Sequence, residues 1–175
     1  NLLKKINLKK KFNLKLINFV KTNDTNITFS SSIIREKIKQ GEFGEIHKFL
    51  GRPWSIKGIV IKGEKRAREM NFPTANILSP NTIHPKRGVY VVNAIFDGKK
   101  YSGIANFGRR PTFGDKKVLL EVNIFNFNDE IYGKELTIEF LTFIREEIKF
   151  VNFERLKEQV NKDVQSAKLF LTQNK

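Results

Sequence analysis

Three short stretches of this 175-residue chain carry side chains whose types and spacing suit chemistry. In Asn71-Phe72-Pro73-Thr74-Ala75-Asn76 the proline fixes the backbone ahead of Thr74, whose hydroxyl can ligate a hard cation. The Asn76 amide follows two residues later, on the same side of an extended chain. Both groups are neutral, so they would hold Mg2+ only where phosphates supply the negative charge, as when the metal arrives with ATP. The other reading of these residues is a turn in which Thr74 and Asn76 bond local backbone. In Lys62-Gly63-Glu64-Lys65-Arg66-Ala67-Arg68 a glycine lets the chain turn and present N–H groups, while four cations gather in one loop. That suits phosphate contact, and it equally suits a solvated charged hairpin. In Leu119-Leu120-Glu121-Val122-Asn123 a carboxylate interrupts an apolar run, and strand alternation puts it on one face with Leu119, Asn123 and Phe125. A carboxylate so placed is a candidate general base for a hydroxyl, unless the face is a solvent-facing edge.

Absences narrow the chemistry further. The chain has no cysteine and only His47 and His84, which removes disulfide scaffolds, thiol catalysis and Cys/His zinc sites. Gly98-Lys99 and Gly133-Lys134 lack the Ser or Thr of a P-loop, and no Gly-x-Gly-x-x-Gly opens a helix. No apolar run reaches the ~18 residues of a membrane span. The net charge of +15 falls mostly on residues 1–68, a distribution that suits phosphates of a nucleotide or a nucleic acid. The abundance of Lys, Ile and Asn offers a compositional explanation of the same excess.

The elements that must position these groups are mostly strands. An extended run at 14–20 stands near the start, and helical pieces follow Ser30-Ser31-Ser32 and end at Gly51. From Trp54 onward, alternation and β-branched or aromatic residues predict strands at 54–62, 88–96, 100–106, 118–127 and 135–144, with Asp97-Gly98 as a hairpin turn. Five or six short strands without intervening helices argue for an antiparallel barrel or sandwich. A final helix is capped by Asn152 and carries the stripe Phe153, Leu156, Val160, Val164, Ala167 and Leu171.

Several motifs fall in one order: Leu50-Gly51-Arg52-Pro53-Trp54, the Gly63 loop, Asn71 to Asn76, Arg87-Gly88-Val89-Tyr90, Asn106-Phe107-Gly108-Arg109-Arg110-Pro111-Thr112, Leu120-Glu121-Val122 and Tyr132-Gly133-Lys134. In that order, over about residues 50–172, the chain resembles the riboflavin kinase module of bacterial bifunctional FAD synthetases. Phe29-Ser30-Ser31-Ser32-Ile33-Ile34-Arg35 resembles the stretch that closes the adenylyltransferase domain of that family. The resemblance implies residues 1–49 as a short α/β remnant of that domain and 50–175 as the kinase. The His-x-Gly-His motif of the adenylyltransferase is absent, so FMN adenylylation is not expected of this chain.

The resemblance further implies a cytoplasmic enzyme that phosphorylates the riboflavin 5′-hydroxyl with ATP and Mg2+ to give FMN. Its fold would be a six-stranded antiparallel Greek-key barrel with a C-terminal helix. Glu121 matches the family's base, Thr74 and Asn76 its metal and phosphate residues, and Gly63, Lys65 and Arg66 its nucleotide-covering loop. Residues 145–150 match a flap over the substrates, with Arg145 and Phe150 as flavin contacts, and the resemblance implies 106–112 as lining of the flavin pocket. Partners would be small molecules, with no membrane. The competing reading is a basic, nucleic-acid-binding β-barrel without catalysis, which would have no use for Glu121.

Overall fold

A computed structural model of the chain describes residues 30–63, 72–78, 83–109 and 118–174. The chain divides into two compact units, Asn1–Ser31 and Ser32–Lys175. The expected strand at 14–20 lies outside the described residues.

The second unit holds helices α1 (Ser31–Gln40) and α2 (Phe43–Leu50), strands β1 (Trp54–Ile61), β2 (Ala75–Leu78), β3 (Gly88–Phe96), β4 (Lys99–Arg109), β5 (Val118–Ile124) and β6 (Glu135–Arg145), and helix α3 (Phe153–Gln173). The six strands close into a barrel in the order β1-β2-β5-β4-β3-β6, every pair antiparallel. Strands β3, β4 and β5 form a meander and β6 returns beside β3, which is a Greek key. Five strands fall where alternation predicts them. The sixth, β2, is four residues long with Ile77 as its fully buried side chain, too short for a periodic signal. Strand β4 runs to Arg109 rather than ending at 106, carrying Phe107 and Gly108 into the sheet.

Local signals set the corners. Asp97 and Gly98 both have positive φ, 48° and 72°, the two-residue turn whose twist matches the flanking strands, and Phe96 pairs with Lys99 across it. Gly51 closes α2 in the left-handed region at φ 66°, its N–H donating to the His47 carbonyl at 2.8 Å. Asn152 caps α3 by accepting from the Arg155 N–H at 3.0 Å.

Alternation sorts side chains into two apolar layers. Leu120, Val122 and Ile124 join Ile56, Tyr90, Ala105 and Phe140 inside the barrel. Outside it, Val91 and Ile104 pack against Ala167 of α3, with Val164, Phe170 and Leu171 around them. Helices α1 and α2 belong to the inner layer: Ile38, Phe43 and Ile46 are buried in the barrel's cluster. The Phe43 ring lies 5.1 Å from Phe140, 5.4 Å from Tyr90 and 5.5 Å from Trp54. These residues precede position 50, where the ordered motifs begin, yet they pack into the barrel's core.

Removing that aromatic anchor tests the point. Phe43→Ala should lower unfolding free energy by about 3–5 kcal/mol, the usual effect of deleting a buried aromatic, in urea denaturation followed by Trp54 fluorescence. A loss below about 1 kcal/mol would mean that the helices sit on the barrel without supporting it.

Candidate active site

Closure of the barrel lines up one row of residues across its strands. Asn76 on β2 faces Glu121 on β5, Glu121 faces Asn106 on β4, Asn106 faces Val89 on β3, and Val89 faces Arg145 on β6. Residues directly opposed in antiparallel strands share a face, with Cβ atoms about 4.5–5.5 Å apart. Because Leu120 and Val122 point inward, Glu121 points outward between two carboxamides.

Asn76 is 4% exposed, and its Oδ1 is buried with no hydrogen-bond partner among the described residues. Leaving a buried acceptor unpaired costs on the order of 1–3 kcal/mol, so the atom marks a place built for something else. The carboxamide lies against Gly63, where an added Cβ would sit 2.1 Å from Asn76 Nδ2. Position 63 therefore needs glycine for close approach as well as for any turn. Asn123, two residues beyond Glu121 on the same face, donates from Nδ2 to the Pro73 carbonyl at 2.8 Å and so pins the approach to Thr74.

Thr74 stands at the lip of a cavity of about 580 Å3. Its floor is Val60, Ala75, Val122 and Ile124 at the end of β1 away from α2, and Phe127, Asp129 and Tyr132 come from the connection between β5 and β6. Asn76 and Glu121 are thus directly opposed with Gly63 against Asn76, while Thr74, two residues before Asn76, borders the cavity. Lys65 and Arg66 lie outside the described residues.

Arg145 ends the same row but is engaged elsewhere. Its Nε donates to Asp163 Oδ1 and Oδ2 at 2.9 and 3.1 Å, and Nη2 donates to Oδ2 at 2.6 Å. Asp163 is 2% exposed and accepts a further bond from Gln159 at 2.9 Å. The pair clamps α3 to β6, and breaking such a buried pair costs about 3–5 kcal/mol. Phe150 lies beside it, its ring centroid 5.9 Å from the guanidinium carbon.

A residue that sequence reasoning did not single out also reaches the row. Glu147, two positions after β6, accepts a hydrogen bond from the Asn106 side chain and lies against Gly108 of β4. Burial of this carboxyl raises its pKa above the ordinary value; Arg87, the Asn106 bond and Arg145 pull it back, while Glu121 adds to the rise. No periodicity tells where a side chain just past a strand will point, so only the folded chain reveals it.

Known proteins match this arrangement. The family described as flavokinase, riboflavin kinase, matches residues 50–171. The chain belongs to the riboflavin kinase family. The bifunctional riboflavin kinase/FMN adenylyltransferase of Bacillus subtilis strain 168 is 43% identical over 151 residues, 84% of this chain and 48% of that protein. Its Haemophilus influenzae counterpart is 43% identical over 142 residues, 81% of this chain and 46% of that protein. The chain thus spans about half the length of these curated relatives. A Streptococcus pneumoniae crystal structure described as a macrolide-efflux protein aligns with a TM-score of 0.79 and 35% identity over 87% of this chain and 50% of its own. Riboflavin kinase from Trypanosoma brucei shares the fold, with a TM-score of 0.51 and 21% identity over 69% of this chain and 80% of its own. No helix among the described residues is long and apolar enough to cross a membrane.

The Glu147 shift has a sign that can be checked. Its folded-state pKa is raised, so ionised Glu147 weighs against the folded state once pH climbs above the carboxylate range. Glu147→Gln should therefore be at least as stable as the parent at pH 7. That advantage should shrink as pH falls and Glu147 takes up its proton, in parallel thermal melts at pH 7 and pH 4.

Proposed function

We propose that this barrel transfers the γ-phosphoryl group of ATP to the 5′-hydroxyl of riboflavin, giving FMN and ADP. The observation that carries the reading is the opposition of Asn76 and Glu121, a buried acceptor with no partner among the described residues set across from a carboxylate, two positions after Thr74, which borders a cavity. The apolar lining of the cavity suits a flat base, and Thr74 at its border would meet the phosphates.

The donor set fits a magnesium ion that comes with its nucleotide. The Thr74 hydroxyl and Asn76 Oδ1 are neutral oxygens, and no three His, Asp or Glu gather among the described residues to hold a metal unaided. Bound there with ATP, Mg2+ would spread the charge that builds on the transferring phosphate. Glu121 stands within the same row to accept the hydroxyl proton as the new O–P bond forms and the bond to the β-phosphate oxygen breaks. Gly63 lies against Asn76 at this edge, and in this reading Lys65 and Arg66 of the segment that follows are the fixed cations that cover the phosphates. The flap from Arg145 to Phe150 runs off the same row and would close over the flavin, with Arg145 and Phe150 in contact with it. Such positioning supplies most of what phosphoryl transfer requires, since little covalent chemistry falls to the protein.

In a longer parent chain we read residues 1–49 as the end of an adenylyltransferase domain that would take FMN on to FAD.

Incubation with riboflavin, ATP and Mg2+ should yield FMN on chromatography with flavin fluorescence. Glu121→Gln should fold and bind ATP while turnover falls by ~10²–10⁴, the range of general-base assistance; undiminished turnover would take Glu121 out of the role. Thr74→Val should raise the Mg2+ concentration needed for half-maximal rate, and an unaltered magnesium titration would count against Thr74 as a ligand.

A further inference from the structure

The polar row contains two carboxylates, and the proposed function uses one. Glu147 reaches the other side of Asn106 from a different element, and three observations fix it there. Asn106 is directly opposite Glu121 in the sheet, so its carboxamide stands between the two acids. The same carboxamide hydrogen-bonds Glu147. Gly108, the next outward position on β4, leaves the space that the Glu147 carboxylate fills: an added Cβ would meet Glu147 Oε1 at 1.8 Å and its Cδ at 2.6 Å. Glu147 is exposed along much of its length, and its carboxylate end enters this seat. Charged groups facing it are Arg87 ahead of β3, Arg145 at the end of β6 and Glu121 on β5.

We propose that Glu147 is a positioning residue for Glu121, acting through the Asn106 carboxamide and seating the segment that follows β6 against β4. This rests on the riboflavin kinase reading above. A carboxamide has one plane to offer. When an N–H of Asn106 is committed to Glu147, the orientation of the remaining amide atoms beside Glu121 is set as well. The arrangement links the flap to the base: the segment that would close over substrate holds, by its own carboxylate, the neighbour of the group that takes the proton. A side chain that merely filled space would not need a glycine beneath it or a bond to the residue opposite Glu121.

Two substitutions unseat the carboxylate by different routes. Glu147→Ala removes it; Gly108→Ala keeps it and places a methyl group where it sits, at little expected cost because the displaced atoms are the end of a flexible side chain. Each should lower kcat by roughly ten- to a hundredfold while KM for ATP stays within about twofold, the pattern of a lost alignment rather than lost binding. Glu147→Gln, whose carbonyl can still accept from Asn106, should keep turnover within about threefold of the parent. Asn106→Ala/Glu147→Ala should be no slower than Asn106→Ala alone, since both act along one path. Amide exchange across 146–152 should quicken in Glu147→Ala and Gly108→Ala without ligands present. If the parent protein makes FMN and Glu147→Ala turns over at its rate, or if the losses in the double variant multiply, the positioning role is overturned and the kinase reading stands. If the parent makes no FMN, both are overturned. Should Gly108→Ala fail to fold, Glu147→Ala decides the matter.

Discussion

The register of β5 against its two neighbours governs everything else in this molecule. Side chains alternate across a strand, so a slip of one residue would carry Glu121 into the hydrocarbon interior and turn Leu120 outward. The slip is prevented from both sides: Leu120, Val122 and Ile124 are committed to the core, and β5 is hydrogen-bonded to β2 and β4 at once. A closed barrel has no edge at which a strand can shift without disturbing the whole ring. Polar groups that lie apart in sequence thereby acquire fixed neighbours.

Around that row the outer surface serves two purposes. Near Val91 and Ile104 it is apolar and covered by α3, and Arg145 ties the helix back to the sheet through Asp163. Beyond the helix it is polar, with Asn76 and Asn123 almost wholly buried and Thr74 at the border of the cavity. The Asn76 oxygen, unpartnered among the described residues, and the raised carboxyl of Glu147 are both departures from what stability alone would select. Such departures gather where a fold is shaped for a ligand.

Much of this could be read in the chain beforehand, and the reasons differ by residue. Alternation put Glu121 on one face with Leu119 and Asn123, and only the burial of Leu120 and Val122 shows that this face turns outward. The Asp97-Gly98 turn and the Asn152 cap were legible because each depends on a few adjacent residues. Pairing across the sheet was not, since nothing local says that Asn106 will lie opposite Glu121 or that Glu147 will reach both. Gly63 was singled out for its freedom to turn, whereas the fold also uses its lack of a side chain to admit Asn76. Strand β2 is so short that its neighbours, rather than its own pattern, make it a strand.

Ile38, Phe43 and Ile46 bear on where this barrel could be cut away from the helices ahead of it. A protease or a gene cut placed at the tidy motif boundary near Gly51 would pull a hydrophobic stopper from the bottle and leave Trp54, Tyr90 and Phe140 facing water. The compact unit that holds the barrel begins instead at Ser32, in the first turn of α1. The packed unit therefore takes in two helices that stand ahead of the motif order.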